Sequence, residues 1–400
     1  MVGSKMAFAV IGAAYGDEGK GLMTDRLVWQ YRSEMVVRSN GGAQAGHTVT
    51  TPDGRRHVFS HIGSGAFAGA RTHLSRYFVA HPMFFLGERE KVAALGGETR
   101  VSIDPRAIVT TPYDILINQI VEEARGSARH GSCGMGFGET IERNIAPDAA
   151  ITVADLAGNR LGLVSRLERI RRDWVETRLG KLGIPEMPEG FKGVLKDDGV
   201  FRRFLSDCDA FLESVSVMDD ADIPDGAVFE GAQGLMLDQD YGAFPHVTRS
   251  NTGILNMSLI AAEAGIDLIE ATYATRAYTT RHGAGPLAHE GDDMSYADIV
   301  DPTNIHNDWQ GTIRSAPLDL DILAAAVSHD LGRAIDTKVE SSLAVSCLDQ
   351  VRSGVAVYAS GRKELVSGDD TSTLIAGVLG KATKFQSYGP THADVRQVSS

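Results

Sequence analysis

An apolar run, Ala7 to Ile11, leads directly into a glycine-rich turn, Gly12 to Gly21, and the turn into a helical pattern, Leu22 to Trp29. No other stretch restricts the fold as much. Strand, glycine turn and helix in that order aim backbone N–H groups and a helix N-terminus at an anion, and Lys20 adds a point charge. The usual phosphate loop has four residues between Gly and Gly-Lys, then Ser or Thr. Here Gly21 follows Lys20, and two acids, Asp17 and Glu18, lie inside the turn. Acids repel phosphate, so a carboxylate has a use there if it holds Mg²⁺ or takes a proton. The plain alternative is a tight strand–helix turn with solvent-facing acids. The dinucleotide fingerprint G-x-G-x-x-G is absent.

The strand–helix alternation continues along the chain. Met35–Arg38 and Val58–His61 read as strands, 114–124 as a helix, and Gly131–Gly138 as another glycine turn. Leu163, Leu167, Ile170 and Trp174 recur at helical steps, which makes 159–179 an amphipathic helix with its arginines on a solvated face. The stretch 206–225 is acidic and expected to be peripheral. Ala227–Glu230, Leu343–Ser346 and Val355–Tyr358 read as strands, and 255–264 and 320–327 as helices. This pattern predicts an α/β fold around a mostly parallel sheet. No linker divides the chain, so 1–400 is read as a single large domain with a peripheral helical subregion at 159–225.

Composition narrows the function. A formal charge of −13 argues against nucleic-acid binding, which rests on neutralising phosphates. No apolar run approaches the ~20 residues that span a bilayer, and no basic-then-apolar leader precedes the first strand. Met1–Lys5 has the look of a tag remnant. The three cysteines, Cys133, Cys208 and Cys347, are too scattered for a disulfide framework or a zinc site, which fits a reducing cytoplasm.

Five motifs resemble those of the adenylosuccinate synthetase family: Gly16-Asp-Glu-Gly-Lys-Gly21, Asn40-Gly-Gly-Ala-Gln-Ala-Gly-His-Thr48, Phe229-Glu-Gly-Ala-Gln-Gly234, Pro245-His-Val-Thr-Arg-Ser-Asn-Thr252 and Ala277-Tyr-Thr-Thr-Arg-His-Gly-Ala-Gly-Pro286. The resemblance implies a carbon–nitrogen ligase. The γ-phosphate of a nucleoside triphosphate moves to O6 of a 6-oxopurine nucleotide, and the amino group of L-aspartate then displaces it at C6. By motif position Asp17 would be the base that removes the N1 proton and also a Mg²⁺ ligand. His47 would be the acid near the leaving phosphate, the Gly46 carbonyl a second Mg²⁺ ligand, and Lys20 and Gln233 would complete the catalytic set. Gly16, Glu18, Gly19, Lys20 and Gly21 would hold the triphosphate.

The same resemblance assigns the remaining subsites. Gln233 would touch the purine near O6, with Gln44 standing where the family has Asn. Thr248, Ser132 and Cys133 would meet the nucleotide phosphate, the last two in place of a Thr pair. Arg143 would match the arginine lent across a dimer interface, which requires at least a homodimer. The stretch from Asn307 to Asp319 falls at the aspartate-binding loop, where Thr312 and Arg314 remain, with Arg281 as helper. The guanine-reading Thr-Lys-x-Asp is Ser346-Cys-Leu-Asp349 here, so Asp349 is kept and ATP becomes as open as GTP. Ser387 and Gly389 resemble the C-terminal turn that also reads this base.

Two branches fit. The ordinary enzyme takes IMP. A phage branch takes dGMP towards 2-aminoadenine, in the host cytoplasm. The turns 63–69 and 131–138 and the altered 346–349 motif favour dGMP, although phage members commonly replace the acid found here as Asp17. A reading of another class is a silent purine-nucleotide-binding regulator, supported by the thinned aspartate loop and opposed by retention of Asp17, Lys20, His47 and Gln233.

Overall fold

The Ala7–Ile11 run forms strand β1 (Met6–Gly12), and the helical pattern after the glycine turn forms helix α1 (Lys20–Tyr31). The structure is a computed structural model. It describes residues 4–398 apart from 127, 128, 130, 302, 305–310, 352, 353, 368, 369 and 381. The central sheet also contains β2 (Met35–Arg38), β3 (Arg71–Leu74), β4 (Val101–Ile103), β5 (Val215–Val217), β6 (Val228–Glu230), β7 (Leu268–Arg276), β8 (Lys338–Ser346), β9 (Thr383–Ser387) and β10 (Val395–Gln397). Their order is β10-β9-β8-β7-β1-β6-β2-β3-β4-β5. Neighbouring strands are parallel except β9 and β10. This is the expected α/β fold around one large, mostly parallel sheet.

β1 lies between β6 and β7, with Phe8 opposite Val228 and Ala7 opposite Ile269. Both of its faces are buried. Ala7, Ala9 and Ile11 face a core that includes Met257, Ile260 and Leu323, while Phe8 and Val10 face Leu22, Leu27 and Val28 of α1. A strand covered on both sides reads as a continuous apolar run.

Several expectations shift. The 159–179 helix is observed as Arg160–Arg169, a π turn Ile170–Trp174, and Val175–Lys181. The wider turn advances the buried stripe, so Val175 is fully buried where Trp174 was expected. The 206–225 stretch is more buried than its acidic composition predicts. It belongs to a helix, Asp198–Ser214, that buries Phe201, Phe204, Cys208 and Phe211, and it continues into β5 at the sheet edge. Val58–His61 is realised as Arg56–Phe59, in a hairpin with His47–Thr50. Val355–Ala359 is a strand of a separate three-stranded sheet. The long strand β7 escapes the sequence pattern because Glu270 and two threonines interrupt it. Glu270 is paired with Lys384 at 2.7 Å.

Among the described residues no helix is long and apolar enough to cross a membrane. Gly12, Arg38, Glu230, Arg276, Ser346 and Ser387 are each the last residue of a parallel strand. They therefore lie along the carboxyl edge of the sheet, where open α/β sheets bind ligands.

Candidate active site

The turn after β1 is braced from within. Glu18, almost fully buried, accepts the N–H groups of Ala14 (2.9 Å) and Gly16 (2.8 Å) through Oε1 and holds Lys20 Nζ at 2.8 Å through Oε2. Glu18 is thus a loop strut, and the Gly16 N–H is already used. Both differ from the expectation that these two residues face the triphosphate. Gly12 has no room for a side chain: a Cβ would lie 2.5 Å from Glu18 Oε2 and 2.7 Å from the Gln233 carbonyl oxygen. A Cβ on Gly21 would lie 2.8 Å from the Thr48 carbonyl oxygen, so glycine there lets the His47 strand close onto α1.

A cavity of about 480 Å³ opens above this turn. It is lined by Asp17, Gly19, Lys20, Gly21, Gly46, His47, Arg276, Cys347, Asp349, Ser387 and Gly389, among others. Residues expected from segments as distant as 17–21 and 387–389 are brought together. Asp17 has φ 61, and Gln233 and Cys347 share that value. Non-glycine residues in the left-handed region cost about 1–3 kcal/mol each and concentrate at functional sites. Burial pushes the Asp17 carboxyl above its ordinary range, opposed by His282, Arg276 and Lys20; His282 Nε2 lies 3.8 Å from its Oδ2. Arg276 donates to the Asp17 backbone carbonyl and to Asp301 at 2.9 Å.

His47 is held by two residues absent from the expected set. Its Nδ1 lies 2.6 Å from Glu230 Oε1 and 2.9 Å from Arg38 Nη1, and Arg38 and Glu230 pair at 3.0 Å, both fully buried. The shorter contact has His47 Nδ1–H donating to the Glu230 carboxylate, so the neutral ring carries its lone pair on Nε2. Ser64 donates to Glu230 from its backbone (3.0 Å) and its hydroxyl. Burial lowers the His47 pKa to about 4, with Glu230 opposing and Arg38 and Lys20 assisting. Glu230 is itself pulled down to about 2 by Arg38 and His47, against its burial. Both partners close apolar strands, Met35-Val-Val-Arg38 and Val228-Phe-Glu230, and that position was their one signal in the sequence.

The purine-side residues are scattered around this centre. Asn40 exchanges two hydrogen bonds with the Ala232 backbone (2.7 and 3.1 Å), which ties the 40–47 turn to the 230–234 turn. Both carboxamide atoms of Gln44 and the Oε1 of Gln233 are buried without a hydrogen-bond partner among the described residues. Ser132 donates to Asn118 at 3.0 Å, burial pushes the Cys133 thiol up to about 11, and the Thr248 N–H donates to the Leu237 carbonyl at 2.8 Å. None of these five lines the 480 Å³ cavity.

Arg143 overturns an expectation. It is fully buried, with bonds to Asp114 Oδ1 (2.8 Å) and Oδ2 (3.0 Å), the Ala149 carbonyl (2.6 Å) and the Val109 carbonyl (2.7 Å). A guanidinium whose donors are spent inside its own protomer cannot be lent across an interface, so the argument for a dimer from Arg143 falls.

The expected aspartate site is partly visible, because Asn307–Gln310 lie outside the described residues. Arg281 and Arg314 are directly opposed on an antiparallel ribbon, Thr279–Arg281 with Arg314–Ala316. Arg281 donates to the Pro286 (2.8 Å) and His246 (3.1 Å) carbonyls. Arg314 donates to Glu290 (2.7 Å) and to the Gly283 and Gly285 carbonyls (2.7 and 3.0 Å). Thr312 is exposed. The terminal nitrogens of both forks are engaged, while Arg281 Nε is buried without a hydrogen-bond partner among the described residues.

No group of three or more His, Cys, Asp or Glu side chains suited to a metal occurs among the described residues. Asp17 and the Gly46 backbone nevertheless share the cavity, and two oxygen donors suit Mg²⁺, which takes few protein ligands and completes its shell with phosphate and water.

Comparison with known proteins gives a consistent result. The adenylosuccinate synthetase family model matches residues 9–310. Adenylosuccinate synthetases of Lactobacillus helveticus and Clostridium botulinum (strain Loch Maree) are 34% and 32% identical over 299 and 294 residues. Each alignment covers 71% of this chain but 65% of the relative, just under two thirds of its length. Among solved structures, the fully ligated adenylosuccinate synthetase from Plasmodium falciparum superposes with a TM-score of 0.74 at 18% identity, covering 99% of this chain and 100% of that one. The cyanophage S-2L succinoaminodeoxyadenylate synthetase PurZ, bound to dGMP and to dATP as an energy donor, superposes at 0.63 and 16%, covering 100% and 97%. At these identities the two structures speak for the fold.

Proposed function

Because the chain belongs to the adenylosuccinate synthetase family, we propose that it joins L-aspartate to C6 of a 6-oxopurine nucleotide at the expense of ATP or GTP. The observation that carries this reading is the meeting of Asp17, Lys20 and His47 at one cavity, with Glu230 fixed behind the imidazole. A regulator that only bound nucleotides would need no base and acid facing the same space.

Asp17 takes the purine N1 proton, so O6 gains charge and bonds to the γ-phosphorus as the bridging β–γ P–O bond breaks and the nucleoside diphosphate leaves. A carboxyl whose pKa burial has raised is better matched to this task than an exposed one. Lys20 and the backbone of Gly19 and Gly21 hold the phosphates at the N-terminus of α1. Mg²⁺ bound by Asp17 and the Gly46 carbonyl would neutralise phosphate charge. His47 is neutral at pH 7 in the structure, and an anionic phosphate beside Nε2 would favour its protonated form, which then donates to the departing phosphate. The aspartate amine forms the new bond to C6 as the C6–O bond breaks and phosphate leaves. Arg314 and Arg281 are the candidate partners of the aspartate carboxylates, and Arg314 must exchange Glu290 for substrate. Asp349, Ser387 and Gly389 bound the base end of the triphosphate subsite.

For the purine we propose dGMP over IMP. Gln44, on the 40–47 turn, has a buried carboxamide with neither polar atom partnered among the described residues, so its oxygen is available to accept from the guanine 2-amino group. A buried acceptor left unpaired costs about 1–3 kcal/mol, and sites built to hydrogen-bond a group reject the analogue that lacks it. The test is competition between dGMP and IMP with Mg²⁺, triphosphate and L-aspartate, with the two succinylated products separated. A dGMP product in excess is the expected result. Exclusive use of IMP returns the chain to the ordinary reaction, and phosphate release that does not need aspartate removes the ligase reading.

A further inference from the structure

The C-terminal turn that closes the base end of the cavity is a self-braced unit. Ser387 Oγ donates to the Gly389 carbonyl at 2.8 Å, and the Tyr388 N–H to the Asp394 carbonyl at 3.2 Å. Asp394 accepts from the Thr391 N–H (3.0 Å) and hydroxyl (2.7 Å). Gly389 packs so closely that a Cβ would lie 2.8 Å from the Asp394 carboxylate. Ser387, Gly389 and Pro390 of this unit line the cavity.

The unit is fastened to α1. His392 Nδ1 and Asp25 Oδ2 are 2.7 Å apart, and Asp25 is 1% exposed. The His392 ring stacks on Trp29 with centroids 5.2 Å apart and planes 18° apart. Arg26 donates to the His392 carbonyl at 3.4 Å. Asp25 lies on the inner face of α1 with Oδ1 buried and unpartnered among the described residues, so His392 supplies the side-chain hydrogen bond to this carboxyl, at Oδ2. The same helix begins at Lys20, beside Gly19 and Gly21, at the other end of the cavity. One rigid element therefore carries the phosphate end and anchors the base end.

We infer that Asp25 and His392 are a positioning pair that fixes the Ser387–Pro390 turn against α1, and so sets the distance between the phosphate and base subsites of the triphosphate. Neither side chain lines the cavity, so the pair acts through the turn. The inference rests on the reading of this cavity as the triphosphate site.

The experiment compares wild type, His392→Ala and His392→Asn. The Asn variant keeps a donor at the position of Nδ1. Steady-state KM is measured for each of the three substrates, and a non-hydrolysable triphosphate analogue is titrated calorimetrically without the others. Loss of a charge-assisted hydrogen bond predicts a rise of about ten- to a hundredfold in triphosphate KM and analogue Kd for His392→Ala. The other two KM values and kcat should stay within about twofold, and His392→Asn should recover most of the loss. Unchanged triphosphate affinity in a folded His392→Ala protein overturns the pairing role. A parallel rise in all three KM values with a lowered thermal midpoint also overturns it, in favour of general support of the fold. Wild type that binds no triphosphate overturns the reading of the cavity, and the pair with it.

Discussion

Asp17 combines three things rarely found on one residue: a backbone in the left-handed region, a carboxyl whose pKa is raised by burial, and a place in a glycine turn beside Lys20. Asp17→Ala is expected to lower kcat by ~10²–10⁴-fold from loss of the base alone, with the fold retained. Turnover near wild type in a folded variant would remove Asp17 from the reaction. The turn around it was legible because Gly, Lys and Asp have few reasons to share ten residues after an apolar strand. His47 was legible for the same reason. Its supports, Arg38 and Glu230, were not read as site residues, because a charge at the end of a strand acquires meaning only when the strand order is known. Arg143 shows the opposite failure. Motif position suggested a ligand-facing arginine, whereas Asp114, 29 positions away, pairs with it inside the core.

Among the elements, the turn between β1 and α1 owes its shape to Glu18. Its carboxylate takes two backbone N–H groups and one bond from the Lys20 ammonium, which fixes the turn from within. Glu18→Gln keeps the size and removes the charge. The expected cost is about 1.5–3 kcal/mol for charge-assisted bonds, measured by urea unfolding, with a raised triphosphate KM as Lys20 loses its anchor. Stability equal to wild type would mean that the turn is held by the sheet alone. Helix 159–181 illustrates what periodicity conveys and what it omits. The apolar spacing located the helix, while the π turn that swaps Trp174 for Val175 arises from packing and leaves no composition signal.

Across the whole molecule, two expectations follow from burial. Arg143 and Asp114 are a fully buried ion pair, and removing one partner of such a pair costs about 3–5 kcal/mol. Arg143→Ala should therefore lower the unfolding free energy by that order while the KM for the purine nucleotide stays near wild type; the reverse pattern would restore Arg143 to the site. The second concerns acid. His47 has a folded pKa of about 4, against roughly 6.5 in an unfolded chain. Between these values the unfolded state holds a proton that the folded state lacks, so this contribution is complete above about pH 6.5 and is lost as pH falls towards 4. His81, lowered to about 3 by burial and by His61, acts in the same direction. Urea midpoints should drop steadily from pH 7 to 4.5, and His47→Gln should flatten the slope; a flat wild-type profile would contradict a neutral buried imidazole. The order of the sheet has one more consequence. Both partners of β1, β6 and β7, come more than two hundred residues after it in the chain. During synthesis an all-apolar strand waits with both edges unpaired, the state most open to aggregation and to chaperones, and such non-local pairing makes folding slow. The glycine turn after β1 is therefore made long before it can be shaped, which waits until Leu268–Arg276 has left the ribosome.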